Sequence, residues 1–558
     1  MNTVQISVNQ NGLIANLGSV FSSNTKFLAE LFQNARRAGA TRIDVVKTGM
    51  LLSIADNGSG IANFSDLLTL AQSNWNEDVM QEDSPYGMGF FSALFSSDRV
   101  IVKSLGKQIQ IEATEELLDQ AISVVPSTVL VGTVVELYGS KISEVLKTIT
   151  QYCKGFPIDV YFTGLDSDRI DAEWVVEQLV PSPDRVSSDF LAFECGYIQH
   201  DFSKLKNSFG SGDFIAYLQG FEVARSYGHY SYDQASMARI HLDGSFKARM
   251  PDRDCLINAE AEIKKITTAL KAVWIRNLLR LKQDNPSELF GYFDLAKDLG
   301  VIGIFNDIEF IPANFIGRAD DPIKHSEGRN VGLQIDRDFG DDGPWLSKSF
   351  LSDKVIVKGD PSEFDNENDD FEMALQMALY KDKTMILAKT LDPGHWIYQY
   401  TKDLPDCTTD TPVQVNYAPI KSGKWEGLNV HIVDSYNITV PSLGINVVIN
   451  SDDGLAIGCD EYGNQDNELI IPPNAGANVL QQFRTWYWDD SYHASDEDED
   501  TTSLNAYIDV LRGKDDAEVL HSLLNRSDWI IRNALAGKEF TVRFLEKGEI
   551  VVNLAEVI

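Results

Sequence analysis

The sequence predicts a multidomain α/β protein, and three observations carry that prediction. Helix-spaced and strand-alternating segments follow one another through the first 165 residues. The composition is globular, with 43% apolar and 23% charged residues. At 558 residues, the chain is long enough for three or four domains of roughly 150 residues each. The organisation read from the sequence is a first domain over 1–165, a second over 166–285 and an acidic mixed α/β region over 286–558.

The elements follow in order. Ser22, Ser23 and Asn24 can cap a helix. Phe27, Leu28, Leu31, Phe32, Ala35 and Ala38 then recur at helical spacing, and Gly39 suits the stop. Ile43 and Val45 read as a strand, Gly49 as a turn and Leu51–Ala55 as a second strand. Asp66–Ala71 reads as helix, Ser73–Pro85 as a polar, mobile stretch, and Phe90–Phe95 as the start of a buried helix. Arg99–Ser104, Gln108–Ala113 and Thr133–Tyr138 alternate as strands. A long helix is expected over Ala259–Leu281, after the segment Gly244–Ile257. Two acidic runs, Glu363–Glu372 and Asp496–Asp500, read as solvated loops.

Charge and cysteine usage bound the function. The net charge is −35, and it is uneven: residues 286–558 hold 49 acidic and 22 basic residues (−27), residues 1–285 hold 34 and 26 (−8). Nonspecific nucleic-acid coating needs Lys and Arg to displace counterions, so that class is disfavoured. Cys153, Cys195, Cys255, Cys407 and Cys459 are odd in number and too scattered for a CxxC zinc site, which points to a reducing compartment. MNTVQISVNQ has neither a basic nor an apolar leader region, and no run of about 18 apolar residues occurs. The expectation is a cytoplasmic protein with no membrane span. The eight histidines are scattered and take no role.

Three segments carry chemistry. In Glu30-Leu-Phe-Gln-Asn34 the acid and the amide are four apart, on one helix face. A carboxylate there can orient and deprotonate a water. An amide oxygen can hold a hard cation such as Mg²⁺. In Asp56-Asn57-Gly58-Ser59-Gly60-Ile61 an acid at a strand end precedes two glycines that allow close approach of a ligand. An anion there suits a donor, such as an adenine amino group, and repels phosphate. In Tyr86-Gly87-Met88-Gly89-Phe90-Phe91-Ser92 glycines lead into a helix, whose N-terminal amides suit phosphate. Taken singly, each also fits an ordinary exposed Glu, a tight turn or a turn leading into a helix. Their order, completed by Gly132-Thr133 at the start of a strand, is far more specific than any one of them. No GxxxxGK[ST] P-loop and no protein-kinase HRD and DFG set occurs.

Together these segments resemble the GHKL (Bergerat-fold) ATPases: gyrase B, the ninety-kilodalton heat-shock chaperones, histidine-kinase catalytic domains and MutL. The resemblance covers about residues 20–140 and implies an α/β sandwich, helices over one face of a mixed sheet, with ATP between. It implies that Glu30 matches the water-activating base and Asn34 the magnesium ligand. Asp56 would receive the adenine amino group, with Gly58 and Gly60 beside the base and Thr133 supporting Asp56 through water. Gly87, Met88, Gly89 and Phe90 would form the phosphate-contacting end of an ATP lid over residues 62–86. Many relatives carry an acid seven residues after the glutamate; Arg37 stands there in this chain. The spelling ELFQNARRAGAT is closer to the chaperone-like members than to gyrase. Residues 166–285 resemble, more loosely, the transducer or middle domain of such relatives, which sends a basic residue to the γ-phosphate. Lys247, Arg249 and Arg253 are its candidates.

The function expected is therefore an ATP-binding, Mg²⁺-dependent ATPase acting as a conformational switch on a protein client or on its own dimerisation. Two alternatives stand beside it: a nucleotide sensor without significant turnover, and a MutL- or topoisomerase-like DNA-associated ATPase, against which the −27 half argues.

Overall fold

The computed structural model describes residues 26–69, 89–113, 122–140, 142–166, 171–206, 213–226, 237–249, 253–319, 335–336, 345–359, 371–405, 413–458, 467–482, 494–525, 529–546 and 549–554. The chain divides into two compact units, Met1–Ile304 and Phe305–Ile558.

The first unit begins with helix α1, Lys26–Arg37. Phe27, Leu28, Leu31, Phe32 and Ala35 are buried, as their spacing requires. The helix stops where Gly39 turns left-handed at φ +70°. The Ala40 amide donates to the Ala35 carbonyl at 3.0 Å and the Gly39 amide to Arg36 at 3.0 Å. This six-to-one closure satisfies carbonyls that the helix end would leave open. Arg36 and Arg37 in the last turn suit the negative end of the dipole.

Eight strands make one sheet: β1 Arg42–Thr48, β2 Leu51–Asp56, β3 Arg99–Ser104, β4 Lys107–Glu112, β5 Val125–Pro126, β6 Thr133–Tyr138, β7 Asp159–Leu165 and β8 Trp174–Val180. Their order is β5-β4-β3-β6-β2-β1-β7-β8. The pair β1–β7 is parallel and the other pairs are antiparallel. Burial alternates along β1, β3 and β6, so one face is core and the other half-exposed. Over the core face lie α1, α3 (Gly89–Phe95) and α4 (Val145–Tyr152); the single turn α2 is Ser65–Leu68. The helix expected over Asp66–Ala71 ends by Thr69, whose backbone is extended. This arrangement is the mixed α/β architecture the sequence predicted. The expected cap residues 22–24 lie outside the described residues, and so does the lid from residue 70 to 86.

A second sheet follows: β9 Leu191–Phe193, β10 Gly196–Gln199, β11 Phe214–Leu218, β12 Phe221–Ser226 and β13 Ala238–Leu242, in the order β12-β11-β13-β10-β9. The β11–β12 turn is Gln219-Gly220, both left-handed at φ +54° and +88°. Its tip is pressed onto the first core. A side chain at Gly220 would meet Phe156 and Pro157, and the Phe221 ring lies 5.3 Å from that of Phe156. The long helix α5 spans Ala259–Asp284, as expected, and buries Ile266, Leu270, Trp274 and Leu278.

Within the second unit, short strands Ile316–Ala319, Ile335–Asp336, Ile356–Lys358, Met385–Leu387 and Thr401–Asp403 form one sheet; Gln414–Trp425, Leu428–Val440, Ile445–Ile449, Leu455–Ile457 and Glu468–Ile471 form another. Helix Glu372–Asp382 shares a core with both. Asp496–Asp500, expected as a solvated loop, instead lie in the opening turns of helix Ala494–Leu511. Burial of His395 pushes its imidazole down to about 4, only partly opposed by Asp392.

Candidate nucleotide site

Asp56 ends β2 and faces Thr133 in the β2–β6 register. Its Oδ1 accepts from the Gly58 amide at 2.8 Å, and the Thr133 amide also donates to the carboxylate. Burial pushes Asp56 above the ordinary carboxylate range, while these two amides pull it back. Thr133 thus reaches Asp56 through its backbone amide.

The glycines around Asp56 leave no room for side chains. A Cβ at Gly58 would lie 2.7 Å from the Ala38 Cβ, and one at Gly60 (φ +74°) 2.8 Å from the Ser104 Oγ. A Cβ at Gly132 (φ +70°) would strike the Asp56 carbonyl oxygen. The Ser104 hydroxyl donates to the Gly132 carbonyl at 2.6 Å and accepts from the Ile61 amide at 2.8 Å, which ties the three loops together. The result is close-packed backbone around a half-buried carboxylate.

Residues 22–133 match the family model described as "Histidine kinase-, DNA gyrase B-, and HSP90-like ATPase". They form a GHKL-type ATPase domain. No curated protein matches the chain. The GHKL assignment makes this an ATP-binding domain of a family that generally hydrolyses ATP, usually with Mg²⁺. Among the described residues no helix is long and apolar enough to cross a membrane.

Helix α1 carries the other two candidates, Glu30 and Asn34. Glu30 is 5% exposed and its Oε1 accepts from Arg253 Nε at 2.9 Å. Arg253 is 7% exposed and left-handed at φ +51°. Its Nη1 donates to Gln219 Oε1 at 3.1 Å, while Nη2 is buried with no hydrogen-bond acceptor. Asn34, one turn beyond Glu30, accepts from Arg37 Nη1 at 3.2 Å. The cation that replaces the family's acid therefore touches the expected metal ligand.

The three basic candidates separate. Arg253 lies in a loop closed by backbone hydrogen bonds, Ile257 to Lys247 at 2.9 Å and Arg249 to Cys255 at 2.8 Å. Arg249 is mostly exposed and pairs with Asp254 at 3.3 Å. Lys247 sits at the base of the loop. Asp254 also pairs with Lys26 at 3.4 Å, so the loop touches α1 at Lys26 and again at Glu30. One turn further on, Gln33 Nε2 donates to the Gln219 carbonyl at 3.0 Å. Positions 26, 30 and 33 lie on one face of the helix.

Gly89 opens α3, and Phe90 is buried in the core against which α1 packs. Gly87 and Met88 lie outside the described residues. Sequence reasoning did not find Gln33 or Gln219. The signal for Gln33 was a polar side chain at the buried i+3 position from Glu30.

Proposed function

We propose that the chain is an Mg²⁺-dependent ATPase that works as a nucleotide-gated switch. The observation that carries this reading is the buried Glu30–Arg253 ion pair, which joins the helix bearing the expected base to a loop 223 residues away.

Glu30 orients a water in line with the γ-phosphorus and takes its proton. The water oxygen bonds to phosphorus, the bond to the bridging β-oxygen breaks, and ADP leaves with that electron pair. Asn34 would hold Mg²⁺, which neutralises charge on the phosphates when bound. Asp56 accepts from the adenine amino group, with Gly58 and Gly60 beside the base. Gly87, Met88, Gly89 and Phe90 are assigned to the phosphates. Arg253 answers to the γ-phosphate through Nη2, beside its contact with Glu30. Lys247 and Arg249 frame the same loop. The acidic 286–558 region presents the outcome to a protein client or a second copy of the chain, in the cytoplasm.

A sensor without turnover is the second reading. The same ion pair favours it, because Arg253 occupies a carboxylate oxygen that hydrolysis uses. Steady-state ATPase assays and calorimetry on Glu30→Ala and Asn34→Ala separate the two. Loss of a general base lowers turnover about 10²-fold or more with nucleotide affinity nearly intact, whereas Asn34→Ala weakens Mg²⁺-dependent binding. A wild type with no turnover, and mutants that bind like it, would leave the sensor.

A further inference from the structure

Gln219 is the residue at which the second sheet meets α1, and its geometry is costly. A non-glycine residue in the left-handed region is strained, and glycine would sit there freely. Its two oxygens serve two partners: the carbonyl accepts from Gln33 at 3.0 Å and the side-chain oxygen from Arg253 at 3.1 Å. Gly220 and Phe221 seat the turn on the core at Phe156, so Gln219 is presented from a fixed support. Arg253 is held by Glu30 on Nε and by Gln219 on Nη1. A planar guanidinium held at two of its nitrogens cannot swing. Nη2, which shares the Nε edge turned toward Glu30, is left buried without an acceptor.

Building on the reading of Arg253 as the γ-phosphate contact, we propose that Gln219 is a positioning residue. It fixes the Arg253 guanidinium so that the Nη2 donors stand ready for a terminal phosphate oxygen next to Glu30, and it thereby sets the preference of the site for a nucleoside triphosphate over a diphosphate. An unsatisfied buried donor is what a pre-formed anion contact requires, since reorganisation is avoided when the ligand arrives.

The test compares affinities for a non-hydrolysable ATP analogue and for ADP, both with Mg²⁺, by calorimetry on the full chain. Gln219→Gly suits the left-handed turn, keeps the carbonyl for Gln33 and removes the side-chain acceptor. It should cut the analogue-over-ADP preference about tenfold, the size of one hydrogen bond to a charged group, with ADP affinity within about twofold of wild type. Gln219→Glu, which keeps an acceptor there, should retain the preference within about threefold. A Gln219→Gly variant with the wild-type preference, while Arg253→Ala loses it, overturns the positioning role alone. Equal loss of both affinities in Gln219→Gly would mark a folding role and overturn it too. If Arg253→Ala also keeps the preference, or wild type has none, the γ-phosphate reading itself falls.

Discussion

Removing Arg253 should loosen α1 in the nucleotide-free protein far more than loss of a surface ion pair would. An exposed pair contributes about 0–1 kcal/mol. Here both side chains are 7% exposed, and Arg253→Ala strands the Glu30 carboxylate away from water. Breaking a buried pair from one side costs about 3–5 kcal/mol, because the remaining charge loses its partner without gaining solvent. At 1.4 kcal/mol per factor of ten, that is a roughly 10²- to 4 × 10³-fold faster amide exchange across α1 in hydrogen-exchange mass spectrometry. Glu30→Ala should cost a comparable amount. The double variant should recover much of it, with a coupling energy of about 2–3 kcal/mol, since it leaves no orphaned charge. Gln33, whose bond runs to the Gln219 backbone, serves as the control: Gln33→Ala should show no comparable coupling to Arg253→Ala. Single variants that each cost under about 1 kcal/mol, or a coupling near zero, would refute the closed ion pair as the resting arrangement.

Two further outcomes follow from titrating groups. Asp56 holds its proton more tightly folded than unfolded, so its contribution to stability falls as pH rises from the ordinary carboxylate range through the raised folded value. Asp56→Asn should therefore stabilise the nucleotide-free protein at neutral pH but not at pH 3, while weakening ATP binding about 10- to 100-fold; paired melting curves at the two pH values check the first part and calorimetry the second. His395 has the opposite sign: its folded value is depressed to about 4, so the unfolded chain takes up its proton first and stability is lost as pH falls from about 6.5 to 4. His395→Phe should flatten the unfolding midpoint of the second unit over that window relative to wild type.

The GHKL core was legible because its signals are local. The apolar spacing from Phe27 to Ala35 and the alternation in Arg99–Ser104 and Thr133–Tyr138 are each set by burial on one face, and each became the element expected. Strand β8 gave no such pattern. It is an edge strand on which Trp174, Val176 and Leu179 are all exposed, so burial imposes no period on it. The site divides in the same way. Asp56, Gly58 and Gly60 are contiguous in one loop, and close packing demands glycine there and at 132. Arg253 was visible only as one of three cations. What selects it is a loop closed by backbone pairing and a left-handed turn at Gln219, neither of which has a sequence period.

The parallel pairing of β1 with β7 has a consequence for synthesis on the ribosome. Arg42 pairs with Asp159, 117 positions later in the chain, and one edge of β1 is satisfied only by that partner. At about 5–20 residues per second, roughly 6 to 23 seconds separate the appearance of the two strands. During that interval the edge formed by Arg42–Lys47 has open amide and carbonyl groups on a segment rich in β-branched residues. Nascent chains that have passed Tyr138 but not Leu165 should therefore be the ones that bind holdases or associate with one another, and that hazard should end abruptly once β7 has docked.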